Sequence, residues 1–203
     1  MKSNAAINDV SLTAVFTDWF AARGWQPRPH QLELLRLAQA GKSSLLIAPT
    51  GAGKTLAGFL PSLSELASSS REAPRLHTLY ISPLKALAVD VQRNLLTPVA
   101  AMDLDISIET RTGDTPQNRR QRQRASPPDI LLTTPEQLAL LLSYPDAARF
   151  FGDLQMIVLD ELHALANSKR GDLLSLGLAR LARLAPEARR IGLSATVADP
   201  DEL

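Results

Sequence analysis

Short apolar runs alternate along this chain with longer stretches whose apolar residues recur at helical spacing. Leu45-Leu46-Ile47, Leu76–Ser82, Asp129–Thr133, Met156–Leu159 and Arg190–Leu193 are too short for helices and rich in Leu, Ile and Val, so they predict buried strands. Asp105–Thr110 alternates polar and apolar and predicts one more strand. Between them lie the predicted helices. Leu12, Val15, Phe16, Trp19 and Phe20 share one face, and Gly24 stops the segment. Leu32, Leu34, Leu35, Leu37 and Ala38 mark the next, after a stiff turn in which Pro27 and Pro29 flank Arg28. Thr55–Ser69 follows, with Pro61 inside it. Proline costs about 3 kcal/mol in a helix interior, so a kink is expected there. Further helices run from Pro83 to about Ala101, from Thr134 through Leu142 with Pro135 at the first helical position, and over 171–184, a strongly amphipathic stretch whose leucines read as core. Residues 1–10 read as a frayed terminus and Ser68–Pro74 as a polar surface loop. Strands alternating with helices predict an α/β fold: a mainly parallel sheet flanked by helices on both faces. No repeat, low-complexity tract or linker interrupts the pattern.

The most specific chemistry sits between the first strand and its helix. Pro49–Gly53 is a turn-rich loop followed by Lys54 and Thr55, and strand, glycine loop, Lys-Thr, helix is the phosphate-binding loop arrangement. Gly51 and Gly53 let the backbone take conformations closed to other residues. The amides of Thr50-Gly51-Ala52-Gly53-Lys54-Thr55-Leu56 then face negative charge at a helix N-terminus. Lys54 would reach the β- and γ-phosphates of ATP, and the Thr55 hydroxyl would ligate Mg²⁺. Ala48 stands where the strict pattern has its first glycine, and its small side chain should do little harm. Upstream, Gln31 opens a helix. Its amide either pairs with a donor and an acceptor on adenine or simply caps the helix.

A second element follows Met156–Leu159, where Asp160 and Glu161 stand at a strand's carboxyl end. Ligands of open parallel sheets bind at such ends, so the acidic pair and the phosphate loop can share a crevice. Asp160 would serve the Mg²⁺ and Glu161 would polarise the attacking water; buried without a cation, two adjacent carboxylates would be costly. His163 either couples the nucleotide to the next element or caps the turn. Ser194 and Thr196, after the last strand, could bond Asp160, His163 or a phosphate. Lys169-Arg170-Gly171 reads as a small basic turn. Arg119, Arg120, Arg122 and Arg124 form a basic helix or loop, either a nucleic-acid contact or an ordinary solvated face.

Composition narrows the partners. The chain has 203 residues and a net charge of +1, so nucleic acid would be met by local patches rather than by a global basic field. It contains no cysteine, which excludes disulfides, thiolate metal sites and a cysteine nucleophile. No apolar run reaches the roughly 18 residues of a membrane span, and the first ten residues carry no signal-peptide hydrophobic region. The chain reads as a soluble cytoplasmic protein without a membrane partner.

Taken in order, Arg28-Pro-His-Gln31, Ala48-Pro-Thr-Gly-Ala-Gly-Lys-Thr55, Pro83-Leu-Lys-Ala-Leu87, Thr112-Gly-Asp-Thr115, Thr134-Pro-Glu136, Asp160-Glu-Leu-His163 and Ser194-Ala-Thr196 resemble the first-lobe motifs of superfamily 2 helicases. The wording is most similar to the Lhr (large helicase-related) group, and SPLKALAVDVQRNL and GLSATVADP resemble its ligase-associated DEXH-box branch, implicated in bacterial DNA repair. The resemblance implies a RecA-like P-loop NTPase fold, with residues 1–203 one helicase ATP-binding lobe and 11–40 its N-terminal helices. It implies Arg28 and Gln31 as adenine readers. It implies Pro83, Lys85, Thr112, Gly113, Asp114, Thr134 and Pro135 as contacts to one strand's backbone, single-stranded DNA or RNA. His163, Ser194 and Thr196 would link hydrolysis to strand movement. Such helicases work with a second RecA-like lobe that carries arginine fingers, and the Lhr group has further C-terminal domains; neither is expected within these 203 residues. A nucleotide-dependent binding module without turnover and a small-molecule phosphotransferase are the alternatives from other classes.

Overall fold

The computed structural model describes residues 12–69, 73–166 and 168–196. The expectations for residues 1–10, and the middle of the loop over 68–74, lie outside them. The elements are α1 (Ala14–Ala21), α2 (Pro29–Gln39), β1 (Ser44–Ile47), α3 (Lys54–Ser68), β2 (Thr78–Ile81), α4 (Lys85–Ala101), β3 (Ile108–Arg111), α5 (Gln117–Ala125), β4 (Ile130–Thr133), α6 (Pro135–Ser143), α7 (Ala147–Phe151), β5 (Met156–Leu159), α8 (Leu162–Leu165), α9 (Lys169–Leu184) and β6 (Arg189–Ser194). The six strands form one sheet in the order β1-β6-β5-β2-β4-β3, with every ladder parallel. This is the expected α/β architecture.

The strands are apolar at consecutive positions because both faces are covered. Tyr80, Ile130, Leu132, Met156, Val158, Ile191 and Leu193 point to one face and join a core built with α1 to α4. Their neighbours Leu79, Ile81, Leu131, Ile157 and Leu159 point to the other and pack under α6, α7 and α9. Successive side chains of a strand alternate sides, so a run such as β5 must be apolar throughout.

The departures from expectation have local causes. β3 begins at Ile108 rather than at Asp105. Asp103 turns left-handed with φ of 51°, and both the amide and the hydroxyl of Ser107 donate to the Asp129 carboxylate instead of entering a ladder. α9 begins at Lys169, so Lys169-Arg170-Gly171 is the helix's first turn and not a turn before it. Ser168 caps that end by accepting from the Gly171 amide at 3.1 Å. Of the α9 leucines, Leu174 and Leu181 are core, but Leu176 is 69% exposed. α3 continues through Pro61 without a break. The short α7 and α8 carried no periodic signal. No helix among the described residues is long and apolar enough to cross a membrane.

One ion-pair network ties β6, α2 and α3 together. The Arg189 guanidinium, at the start of β6, donates to both Glu65 oxygens on α3 (2.6 and 2.7 Å) and to the Ala38 carbonyl at the end of α2 (2.8 Å). His77 lies 3.3 Å from the same carboxylate. Burial alone would raise the Glu65 pKa, but the bonds from His77 and Arg189 outweigh it and hold the carboxyl at about 2, against an ordinary 4.5. The folded value is the lower one, so the unfolded state takes up the proton first. The contribution of Glu65 is therefore complete above pH 4.5 and is lost as the pH falls from 4.5 towards 2. Glu65→Gln is expected to remove up to about 3 kcal/mol of stability near neutrality. It should also flatten the acid limb of a plot of urea midpoint against pH. An unchanged acid limb would show the network to be energetically silent.

Candidate nucleotide and nucleic-acid site

The arginines of α5 aside, the sequence-marked residues from Thr50 onward follow the carboxyl ends of strands, because every parallel strand delivers its following turn to the same edge. The sheet order splits these turns into two groups. Those after β1, β6 and β5 carry the phosphate loop, Ser194–Thr196 and the acidic pair. Those after β2, β4 and β3 carry Pro83–Lys85, Thr134–Pro135 and Thr112–Asp114.

In the first group, Gly51 and Gly53 have φ of 80° and 74°, the left-handed region that only glycine enters without strain. Gly53 is the residue preceding α3. Ala48 has no positive φ, so its backbone makes no demand for glycine. The Lys54 ammonium folds back onto the loop and donates to the Ala48 and Pro49 carbonyls at 2.8 and 3.2 Å. The Arg28 guanidinium donates to the Gly51 carbonyl at 3.1 Å. Gln31 is almost wholly buried. Its oxygen accepts from the Arg28 amide at 2.9 Å, which caps α2, and its nitrogen reaches the Gly53 carbonyl at 3.4 Å. The capping role is thus present, but on a buried side chain that also ties α2 to the loop. A cleft of about 480 Å³ opens beside them, lined by Phe20, Trp25, Arg28, Gln31, Gly53 and Leu56.

Across β6, Asp160 is 7% exposed. One of its oxygens accepts from the Tyr80 hydroxyl at 2.7 Å and the other from the Glu161 amide at 2.8 Å. Burial and the facing Asp160 charge push the Tyr80 phenol far above its ordinary value, so it stays a donor. Tyr80 was invisible in the sequence: it reads as one more apolar residue of a buried strand, and its partner is 80 positions away. Glu161 has φ of 52°, a conformation rare for a residue with a side chain, which turns the chain sharply between β5 and α8. Its carboxylate lies 3.2 Å from Nε2 of His163. Nδ1 of that ring accepts from the Ala195 amide at 3.2 Å and lies 3.3 Å from the Ser194 hydroxyl. An amide can only donate, so the ring proton sits on Nε2 and faces Glu161. His163 therefore bridges the acidic pair to the turn after β6. The Ser194 carbonyl in turn accepts from the Ala48 amide at 3.2 Å, which closes the circuit to the phosphate loop. Thr196 is exposed and stands apart from it.

The residues present suit a hard cation. Asp160 is a buried carboxylate with no basic partner among the described residues, and Thr55 lies in the first turn of α3. One carboxylate, one hydroxyl and phosphate oxygens form the set that Mg²⁺ prefers.

In the second group, Lys85 pairs with Asp114 at 2.6 Å. The turn at Thr112 is fixed from within, its amide donating to the Thr115 hydroxyl at 2.9 Å. The arginines of α5 are neither a free basic patch nor a merely solvated face. Arg119 and Arg122 pair with Glu109, and Arg124 pairs with Asp146 over the Tyr144 ring. Arg120 donates to the Thr112 and Gly113 carbonyls. Arg111, fully buried at the end of β3, donates to the Arg120 carbonyl. They hold the edge of the sheet and its turn in place.

Comparison with known proteins gives a consistent result. Residues 28–203 match the DEAD/DEAH box helicase family. Over its whole length the chain is 43% identical to the Lhr helicase/probable uracil glycosylase of Mycolicibacterium smegmatis, of which it spans 14%. It is 40% identical over 89% of its length to the ATP-dependent helicase Lhr-Core of Methanocaldococcus jannaschii, of which it spans 23%. Among solved structures it superposes on the Mycobacterium smegmatis helicase Lhr bound to ssDNA and AMP-PNP with a TM-score of 0.86 and 42% identity, covering 94% of this chain and 26% of that one. The fold is thus the RecA-like lobe of these helicases, and the chain spans under a quarter of either curated relative.

Proposed function

The chain belongs to the DEAD/DEAH box helicase family, and from that premise we propose that it is the first motor lobe of an ATP-dependent, Lhr-like superfamily 2 DNA helicase or translocase. The observation that carries this reading is the closed circuit from Ala48 through Ser194 and His163 to Glu161, which links the phosphate loop to the acidic pair across one strand. The base enters the cleft beside Trp25, with Arg28 and Gln31 as its readers. Lys54 leaves the Ala48 and Pro49 carbonyls for the β- and γ-phosphates, and the loop amides of Thr50–Leu56 complete the cradle. Thr55 and Asp160 would hold a Mg²⁺, which would supply charge neutralisation at the phosphate oxygens. Glu161 orients the attacking water. When its carboxylate engages that water, its contact with His163 must change, and the turn at Ser194–Thr196 feels it. On the other half of the edge, Pro83, Lys85, Thr112, Gly113, Asp114, Thr134 and Pro135 follow the backbone of a single strand, without reading sequence.

Single-stranded DNA as the partner rests on the relative whose solved structure holds ssDNA. A second RecA-like lobe and C-terminal domains are expected partners in the longer protein. A place in DNA repair rests on the similarity of two segments to the ligase-associated branch, and a cytoplasmic setting on the cysteine-free composition.

Calorimetry tests the nucleotide site. The 203-residue chain should bind Mg²⁺–ATP or Mg²⁺–ADP weakly, because one wall of a two-lobed cleft is present, and Lys54→Ala should remove the binding heat. Equal affinities for the two proteins would place the nucleotide elsewhere.

A further inference from the structure

Arg170 carries no motif, yet the fold brings it to the strand-facing half of the sheet edge. It stands in the first turn of α9, and a cleft of about 310 Å³ gathers it with Pro83, Lys85, Gly113, Thr134 and Gln137. Glu136, from the first turn of α6 and 34 positions away in sequence, also lines this cleft. It accepts two parallel hydrogen bonds from the Arg170 guanidinium, at 2.6 and 3.0 Å. Both side chains are open to solvent, at 39% and 47%. Lys85 and Asp114 repeat the arrangement beside them with a 2.6 Å pair that is more exposed still. The cleft thus holds two cations and one carboxylate, with Asp114 just outside it, and each cation is already paired.

Three features set Arg170 apart from a routine surface ion pair. First, Lys169 and Arg170 both lie at the positive end of the α9 macrodipole, where cations are disfavoured, so helix electrostatics do not account for them. Second, the guanidinium is engaged through its planar fork, which fits a phosphate as well as it fits a carboxylate. Third, Arg170 lines this cleft and no arginine of α5 does, so they do not supply a substitute there.

We propose that Arg170 is a phosphate-contacting residue of the single-strand track, masked in the free chain by Glu136 as Lys85 is by Asp114, so that a nucleic-acid backbone binds by displacing carboxylates. The proposal rests on the strand-binding reading above and adds to it both a residue and a gate. Arg170 holds the Glu136 carboxyl at about 2, so Glu136 stays ionised and the mask stays in place at any ordinary pH. The device favours strands that present successive phosphates to both cations and disfavours isolated small anions, which gain one contact and must break one ion pair. It also joins the two halves of the edge, because α9 follows directly on Glu161 and α8.

The test is fluorescence anisotropy of a labelled single-stranded oligonucleotide, titrated with the 203-residue protein over a range of salt. Arg170→Ala should weaken binding and flatten the plot of log affinity against log salt by about 0.7, the share of one phosphate contact to a single strand. Glu136→Gln should tighten binding at low salt by about fivefold, near the most that an exposed ion pair withholds. That gain should vanish when Arg170→Ala is added. Arg170→Lys, which keeps the charge and loses the fork, should fall between Arg170→Ala and wild type, and thermal melts confirm that each variant is folded. If wild type binds and Glu136→Gln binds no tighter, or Arg170→Ala leaves affinity and slope unchanged, the gate is overturned while the strand-binding reading stands. If wild type does not bind at all, the strand-binding reading fails and the gate falls with it.

Discussion

The purified 203-residue chain is expected to hydrolyse ATP very slowly, even with single-stranded DNA present. Glu161 can orient water and Lys54 can hold the γ-phosphate, but the charge that develops on the transferred phosphoryl needs an arginine. In P-loop enzymes that residue is worth on the order of 10³–10⁵ in rate. The arginines of α5, Arg170 and Arg28 are otherwise engaged. Those of α5 are held on β3, its turn and Asp146, and β3 is the opposite edge of the sheet from β1, about 24 Å away over five strand spacings of ~4.8 Å. Arg170 faces Glu136, and Arg28 is bonded to the Gly51 carbonyl on the base side of the loop. A longer polypeptide that includes a second RecA-like lobe should regain the missing factor, and Glu161→Gln should then abolish turnover while sparing nucleotide binding. A steady-state assay decides the matter. DNA-stimulated turnover of several per second by the 203-residue chain, lost in Glu161→Gln, would show that this lobe supplies its own arginine.

The second large effect is expected at Gly171. A Cβ built there would lie 2.2 Å from the Leu165 carbonyl oxygen, a backbone atom that cannot step aside. That carbonyl also accepts from the Ser168 hydroxyl at 2.7 Å, and Ser168 caps α9. Gly171→Ala must therefore unseat the turn joining α8 to α9. The cost should be at least the upper end of the 1–3 kcal/mol typical of overpacking, about 3 kcal/mol. For a domain of this size that lowers the melting temperature by about 6–12 °C. Gly177→Ala is the contrast. Its Cβ would meet Leu138 Cδ2 at 2.9 Å, the end of a flexible side chain, and alanine's helix propensity offsets the crowding by about 1 kcal/mol. A Gly171→Ala protein melting within a degree or two of wild type would mean that the turn is far more compliant than its packing suggests.

The chemistry that is local in sequence was legible and the chemistry that is assembled was not. The phosphate loop could be read because strand, glycine turn and helix lie within a dozen residues, and Gly51 and Gly53 carry their conformational signature in their identity. Asp160 could be read because it directly ends an apolar strand. Gln31 stood between adenine reader and cap, since only the fold shows that its nitrogen reaches Gly53. Tyr80 was missed because phenol and carboxylate meet only when β2 and β5 pair. The α5 arginines looked like a surface patch because their partners Glu109 and Asp146 lie 10 to 22 positions off, on other elements. The start of β3 was misplaced because Ser107 prefers the Asp129 carboxylate, a tertiary contact with no trace in alternation.

The pairing of β1 has a consequence for how the chain is made. Among the described residues β1 is an edge strand whose one neighbour is β6, with Ser44 opposite Ile191, 147 residues later. On a ribosome adding about 5–20 residues per second, the strand that leads into the phosphate loop waits roughly 7–30 s for its partner to be synthesised. During that interval its ladder groups are unsatisfied, and the nascent chain presents a bare apolar edge to whatever meets it. The glycine loop after β1 is translated well before the strand on which β1 is laid. Synthesis that pauses before Arg189 leaves a polypeptide that carries the whole phosphate-loop sequence without the strand that holds it in place.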